Sequence, residues 1–274
     1  MADPRLYQIA TLASLLVYGM RWLDFDITPG RVVLLLTTVL ASQWIGDRLR
    51  AGPPFTSAAR SALVSGLSLC LLLRTNRDDL AILGAILTIA SKFLIRVDGR
   101  HVFNPTNGGI TAMLLVSNDV WVSPGQWGST AFFAGLLACA GSLVVNRSAR
   151  SDVTFAFIAC YCALLFGRSC YLGEPLAIPL HRLESGALLL FTFFMISDPR
   201  TTPDSRVGRV LFAAIVAVVA WYIQFRLFRT NGLLWSLAGC ALTVPLINRL
   251  APGVRHVWPS TRSASASSPT LWAA

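Results

Sequence analysis

Apolar residues fill this chain in long blocks separated by short polar breaks, and the blocks run to near membrane-spanning length, too long for strands. Ten such blocks stand out, at roughly 6–23, 31–46, 57–73, 79–95, 105–117, 128–146, 153–170, 184–197, 208–226 and 231–248. They predict an all-α, polytopic membrane protein of about ten transmembrane helices. The fifth block is short, as a broken or half helix would be.

Two of the polar breaks carry the most chemistry. One reads Phe103-Asn104-Pro105-Thr106-Asn107-Gly108-Gly109 and the other Ser197-Asp198-Pro199-Arg200-Thr201-Thr202-Pro203. In each, Asn or Asp directly precedes Pro, the arrangement expected of an N-cap followed by the first helical residue. A helix starting there presents free backbone N–H groups. Lipid cannot satisfy them, so at membrane depth such backbone must line protein or a watery cavity. Broken helices in a membrane protein therefore point to a site.

The first break predicts an anion or carbonyl site. Pro105 pushes Asn104 out of the helical region and leaves its side chain free to cap. The N–H groups of Asn107, Gly108 and Gly109 lie near that end, with Thr106 beside them, and the two glycines permit close approach of a ligand or a neighbouring helix. A basic hook, Lys92 to Phe103, delivers Lys92, Arg96, Arg100 and His101 to the same place. The plainer reading makes these cations positive-inside anchors, His101 a solvated loop residue and the glycines a packing surface. At the second break Asp198 occupies the free N–H groups with its own charge, which suits a cation or a structural cap. Thr201 and Thr202 add hydroxyl oxygens. The two breaks are expected to face one another at a common central site.

Composition agrees with the pattern: 54% of the 274 residues are hydrophobic, 13% are charged, and mean hydropathy is +0.61. Charge then orients the chain. Taking the N-terminus and alternate connections as one side collects 15 of the 23 basic residues and 6 of the 13 acids, against 8 and 7 opposite. By the positive-inside rule that side is cytoplasmic and holds both termini. Topology thus accounts for the net charge of +10 without invoking nucleic acid. The expected organisation is one transmembrane domain over 1–250 in the lipid bilayer, with its first span retained, and a small, polar, disordered cytoplasmic tail over 251–274. The six cysteines form no C-x-x-C pair and read as packing residues. His101 and His181 fall in loops and His256 in the tail, giving no haem or metal site. No hydrolase or ATPase motif is present, so there is no self-contained catalytic machinery and no catalytic residue is assigned.

A resemblance emerges at the two breaks. Phe103-Asn104-Pro105 with its glycine-containing half-helix, and Phe193-Phe194-Met195-Ile196-Ser197-Asp198-Pro199-Arg200-Thr201-Thr202-Pro203 closed by Gly208-Arg209, resemble in order and spacing the two signature segments of the RnfD/NqrB family. The resemblance spans roughly 30–250. It implies a ten-helix subunit of an ion-translocating electron-transport complex in the bacterial cytoplasmic (inner) membrane, with a urea-transporter-like core, a flavin, and other redox subunits as partners. Asn104, Pro105, Asp198 and Pro199 are the matched positions. Val122 to Gly128 is similar to shorter relatives near enediyne gene clusters, which implies biosynthetic partners instead.

One departure bears on the cofactor. The family attaches FMN to the threonine of S-G-A-T, whereas this chain has Ser185-Gly186-Ala187-Leu188, and leucine has no hydroxyl to esterify. Ser129-Thr130 lacks the rest of the motif. Covalent FMN is therefore disfavoured, and the resemblance implies a noncovalent FMN or riboflavin, or a quinone. Two function classes remain, with a scaffold as a third. In one the broken helices hold a redox ring and the chain relays electrons. In the other they line a small-molecule transporter or channel, serving natural-product biosynthesis or export.

Overall fold

The structure, a computed structural model, describes residues 4–23, 25–50, 55–123, 135–136 and 151–254. The predicted sixth span, 128–146, apart from 135–136, and nearly all of the predicted tail lie outside the described residues. Helices dominate: α1 (Pro4–Trp22), α2 (Pro29–Leu49), α3 (Phe55–Leu72), α4 (Asp78–Leu94), α5 (Pro105–Val116), α6 (Ser151–Leu172), α7 (Ala177–Leu183), α8 (Gly186–Leu190), α9 (Arg206–Phe225), α10 (Gly232–Ala241) and α11 (Val244–Leu250). Helix α8 runs on into one π-helical stretch, Phe191–Met195, where the Ile196 N–H reaches back five residues to the Phe191 carbonyl at 2.9 Å.

Among the described residues three helices, α2, α6 and α9, are long and apolar enough to cross a membrane, and α10 with α11, bent by 51°, is apolar and long enough for a fourth when the two are taken together, as a broken span or a re-entrant loop. The bend falls where Pro245 enters the first turn of α11 and leaves the ladder without an N–H. This is a multi-pass membrane protein. The helices pack in two groups. In the first, α1 lies along α3, α2 along α3 and α4, and α4 along α5; in the second, α9 lies between α6 and α10. Contact between α5 and α10 joins them.

Helix starts follow local chemistry where the sequence supplies a cap. Thr28 caps α2 by accepting the Arg31 N–H at 3.2 Å ahead of Pro29, and Asp78 and Asp79 sit in the first turn of α4, where carboxylates favour the positive helix end. At the opposite end of α4 the chain turns through β2 (Arg96–Val97) and β3 (Arg100–His101), an antiparallel hairpin pairing Arg96 with His101. Both turn residues, Asp98 and Gly99, have positive φ, 51° and 76°, as a type I′ turn requires. A second short ladder pairs β1 (Leu73–Thr75) with β4 (Val120–Val122) at the other end of the first group. Neither ladder is expected of an all-α chain.

The second polar break also departs from expectation. The sequence pattern makes Asp198 the cap of a helix beginning at Pro199, yet 199–205 is irregular and α9 begins at Arg206, capped by Ser205, whose hydroxyl accepts the Gly208 N–H at 3.1 Å. Pro203 explains the delay. A helix from Pro199 would carry the Pro203 ring against the carbonyl four residues back.

Candidate functional site

The Asn104-Pro105 break is built as the sequence predicts. Asn104, in the extended conformation that a following proline favours, caps α5: its side chain accepts the Asn107 N–H at 3.2 Å and its carbonyl the Gly108 N–H at 2.8 Å. The hairpin holds it in place through the Val102 N–H, which donates to the Ile95 carbonyl at 3.1 Å. The other end of the same amide turns to the second break. Its Nδ2 donates to Asp198 Oδ2 at 3.4 Å and to the Phe194 carbonyl at 3.5 Å, so the two breaks meet.

Asp198 organises its own turn. Oδ1 accepts the Arg200 N–H at 3.0 Å, while the backbone carbonyl collects the Thr202 hydroxyl at 3.1 Å, the Thr201 hydroxyl at 3.4 Å and the Thr201 N–H at 3.1 Å. His101 brings Nε2 to 3.8 Å from Asp198 Oδ2, an ion-pair distance beyond a hydrogen bond, and that buried nitrogen has no hydrogen-bond partner among the described residues. Burial pushes the Asp198 carboxyl up. The neighbouring His101, the Arg200 N–H and the Arg200 guanidinium outweigh burial and hold it below its ordinary value.

Arg100 is drawn to a different acid. Its guanidinium forms a two-pronged pair with Asp204, both bonds 2.9 Å, tying the hairpin to the 198–205 turn. Asp204 is fixed in turn, its N–H donating to Asn248 Oδ1 at 2.8 Å and its carbonyl accepting from Arg209, which also pairs with Asp152 at 2.7 Å. The hairpin, the turn, α9, α6 and α11 are thereby locked together.

A cavity of about 620 Å³ opens where the breaks meet. Of the residues singled out from sequence, Asn104, Pro105, Thr106 and His101 line it, as do Arg100, Asp198 and Pro199. Lys92, Arg96 and Arg200 line it too, whereas Asn107, Gly108, Gly109, Thr201 and Thr202 lie outside its wall. Asn107 is fully buried, and with its amide oriented to suit both neighbours it donates to the Leu234 carbonyl and accepts the Ala238 N–H, each at 3.2 Å, pinning α5 to α10. Gly109 serves helix packing, since a Cβ there would stand 2.8 Å from Thr88 Cα on α4. Gly108 faces Phe103, at 3.1 Å from such a Cβ. Thr201 borders a second cavity of about 240 Å³, and Thr202 is buried in the turn.

The remaining wall lies beyond the two breaks that the sequence singles out. Ser61, Ser65 and Ser68 put one hydroxyl face of α3 into the cavity at helical spacing, a polar stripe within an apolar span that periodicity could have revealed. Thr106 belongs to the same face, donating to the Ser65 carbonyl at 3.4 Å. Lys92 enters from α4, 8% exposed, and its ammonium donates to Gln43 and Ser61, each at 3.2 Å.

The model of the NQR2, RnfD, RnfE family matches residues 117–255, which take in the Asp198 break and α6 to α11. The chain belongs to the NQR2, RnfD, RnfE family. The resemblance over 30–250 is thus matched over its C-terminal half; Asn104 to Gly109 lie before the matched stretch. Among relatives, a component of the ion-translocating oxidoreductase complex from Escherichia coli O9:H4 (strain HS) is 30% identical over 125 residues, 45% of this chain and 34% of the relative. The protein of the same name from Shigella boydii serotype 18 matches to the same extent. This NQR2, RnfD, RnfE member therefore matches about a third of the length of these relatives.

Proposed function

We propose that the protein is an electron-transport subunit of the inner membrane that holds a noncovalent flavin where the Asn104 and Asp198 breaks meet, working beside other redox subunits. The observation that carries this reading is the bond between the two breaks at the wall of a cavity of about 620 Å³, within the range that encloses cofactors. The residues present fit the group. Three serine hydroxyls and Thr106 suit a polyol chain, and Phe194 and Pro105 offer apolar surface to a ring. When bound, an isoalloxazine would supply one- and two-electron transfer. The chain's own part is to hold the two breaks together at the cavity wall through Asn104 and to seat the Asp198 carboxylate beside the ligand. The charged wall favours this over passage of a neutral solute. The ten spans, the cytoplasmic termini and the urea-transporter-like core belong to the same proposal.

Purifying the full chain from membranes tests it directly. Flavin absorbance that co-elutes with the protein and is released by denaturation is expected, with no fluorescent band on a denaturing gel. Protein without flavin, which also takes up neither FMN nor riboflavin when they are added, overturns the reading. A fluorescent band abolished by changing Thr130 would place a covalent flavin outside the site.

A further inference from the structure

Helices α6 and α9 both start beside the breaks, where Arg209 pairs with Asp152, and both end at the far side of the protein. Charge at that far end is matched differently in the two helix groups. Beside the β1–β4 ladder of the first group, Arg31 pairs with Asp78 at 2.9 Å, and Arg77 with Asp79 at 2.6 Å and Asp119 at 3.5 Å. In the second group, 168–184 and 225–231 hold four arginines against two acids. Arg168 takes Glu174, its Nη1 reaching both carboxylate oxygens at 2.8 Å. Among the described residues Arg182, Arg226 and Arg229 have no ion pair, nor has Glu184. Packing gathers these cations instead of dispersing them. The guanidiniums of Arg168 and Arg182 lie over one ring, that of Phe225 at the end of α9, 4.4 and 4.8 Å from its centroid. Arg226 is the next residue, and the Arg229 N–H turns back to the Ile223 carbonyl at 3.1 Å, which keeps the loop on the last turn of α9.

We infer that this end of the second helix group is a headgroup site for anionic phospholipids, with Arg182, Arg226 and Arg229 taking the phosphodiester oxygens. Guanidinium forks match phosphate oxygens in geometry as well as in charge. The exposed apolar residues of the same segments suit the level of a lipid headgroup. Tyr171 is 88% exposed and Phe228 83%, and Leu176, Ile178 and Leu180 are exposed on and before α7. Aromatic and aliphatic side chains together with arginines are the composition of a membrane interface. Phe228 adds a second observation. Its φ of 52° lies in the left-handed region, which a bulky side chain enters only against strain. Packing within the chain does not offset that strain, because the side chain is mostly exposed; contact with lipid does. Topology gives no account of the three arginines, since in the orientation proposed above this end faces outward, where the positive-inside rule expects few cations. The headgroup site is independent of the flavin reading.

To test the inference, the full chain is placed in nanodiscs holding phosphatidylglycerol and phosphatidylcholine in equal amounts, and the lipids that stay bound are identified by native mass spectrometry. Phosphatidylglycerol is expected to be retained over phosphatidylcholine on the order of tenfold, the worth of one charge-assisted hydrogen bond. Arg182→Gln combined with Arg229→Gln removes most of that preference, whereas Arg249→Gln, at an exposed cation of α11, leaves it. An unchanged preference in the double variant, or an equal loss in Arg249→Gln, overturns the site. No preference in the unaltered protein overturns it too, and leaves the face to an acidic partner. A preference abolished by inorganic phosphate but not by chloride of equal ionic strength assigns the cations to a free anion and overturns the lipid source. Phe228→Gly accepts the left-handed angle, so it is expected to keep its thermal stability in detergent while retaining less of both lipids. A loss of stability there would overturn the role of Phe228 in the site.

Discussion

Asn104 and Asp198 are joined side chain to side chain, the Asn104 amide nitrogen lying 3.4 Å from Asp198 Oδ2, while the same Asn104 side chain caps α5 through its oxygen. One amide therefore does two tasks. Its oxygen fixes the start of a half-helix, and its nitrogen fixes the turn that arrives from the other helix group. A change at Asn104 separates the groups at the cavity wall without touching either group's apolar packing.

Asn104→Ala is accordingly expected to lose bound flavin while the protein stays folded. The missing cap costs about 1 kcal/mol, too little to unfold a membrane domain. Asp198→Ala should lose flavin as well. Flavin content measured together with thermal stability decides: both variants retaining ligand, or losing it only where they unfold, would make the breaks structural hinges.

Acid is expected to loosen this junction. The Asp198 carboxyl lies below its ordinary value in the folded protein, so the stabilisation it gives is complete above the unfolded value of about 4 and is lost as pH falls through the folded one. Thermal stability of the purified protein measured from neutral pH to below about 4 should fall along that limb, and Asp198→Asn should flatten it. An unchanged limb would mean that other carboxylates govern acid sensitivity.

The Arg100–Asp204 pair is expected to couple strongly. Its side chains are 15% and 11% exposed, and removing one partner leaves a mostly buried charge, at a cost of about 3 kcal/mol. In a double-mutant cycle, Arg100→Ala and Asp204→Ala should each destabilise the protein by far more than half of what the double variant loses. Additive losses would show that the pair is screened by solvent.

Orientation follows from the charge count. Reporter fusions after Arg50, Arg150 and Arg255 should report the cytoplasm, and a fusion near Asp119 the outside. Asp119 and Arg150 on the same side would remove the span placed between them.

The sequence alone determined the membrane class, the positions of the long spans and the capped start at Asn104, because each rests on nearest-neighbour chemistry: apolar length, proline geometry and a side chain within three residues of the N–H it accepts. The Asp98-Gly99 turn is equally local, a dipeptide that signals a hairpin even inside a basic hook between two helices. Pro203 likewise stands in the sequence as a bar to a helix from Pro199. Other features have no local signature. Nothing near Ser61, Ser65 or Ser68 shows that α3 turns its hydroxyls toward Lys92, and nothing near Arg100 shows that Asp204 claims it ahead of a ligand. Tertiary packing alone decided those partnerships, since opposite charges and hydrogen-bond donors pair with whatever the helix groups bring within about 3 Å, and that proximity is set by the burial of apolar faces far from the residues concerned.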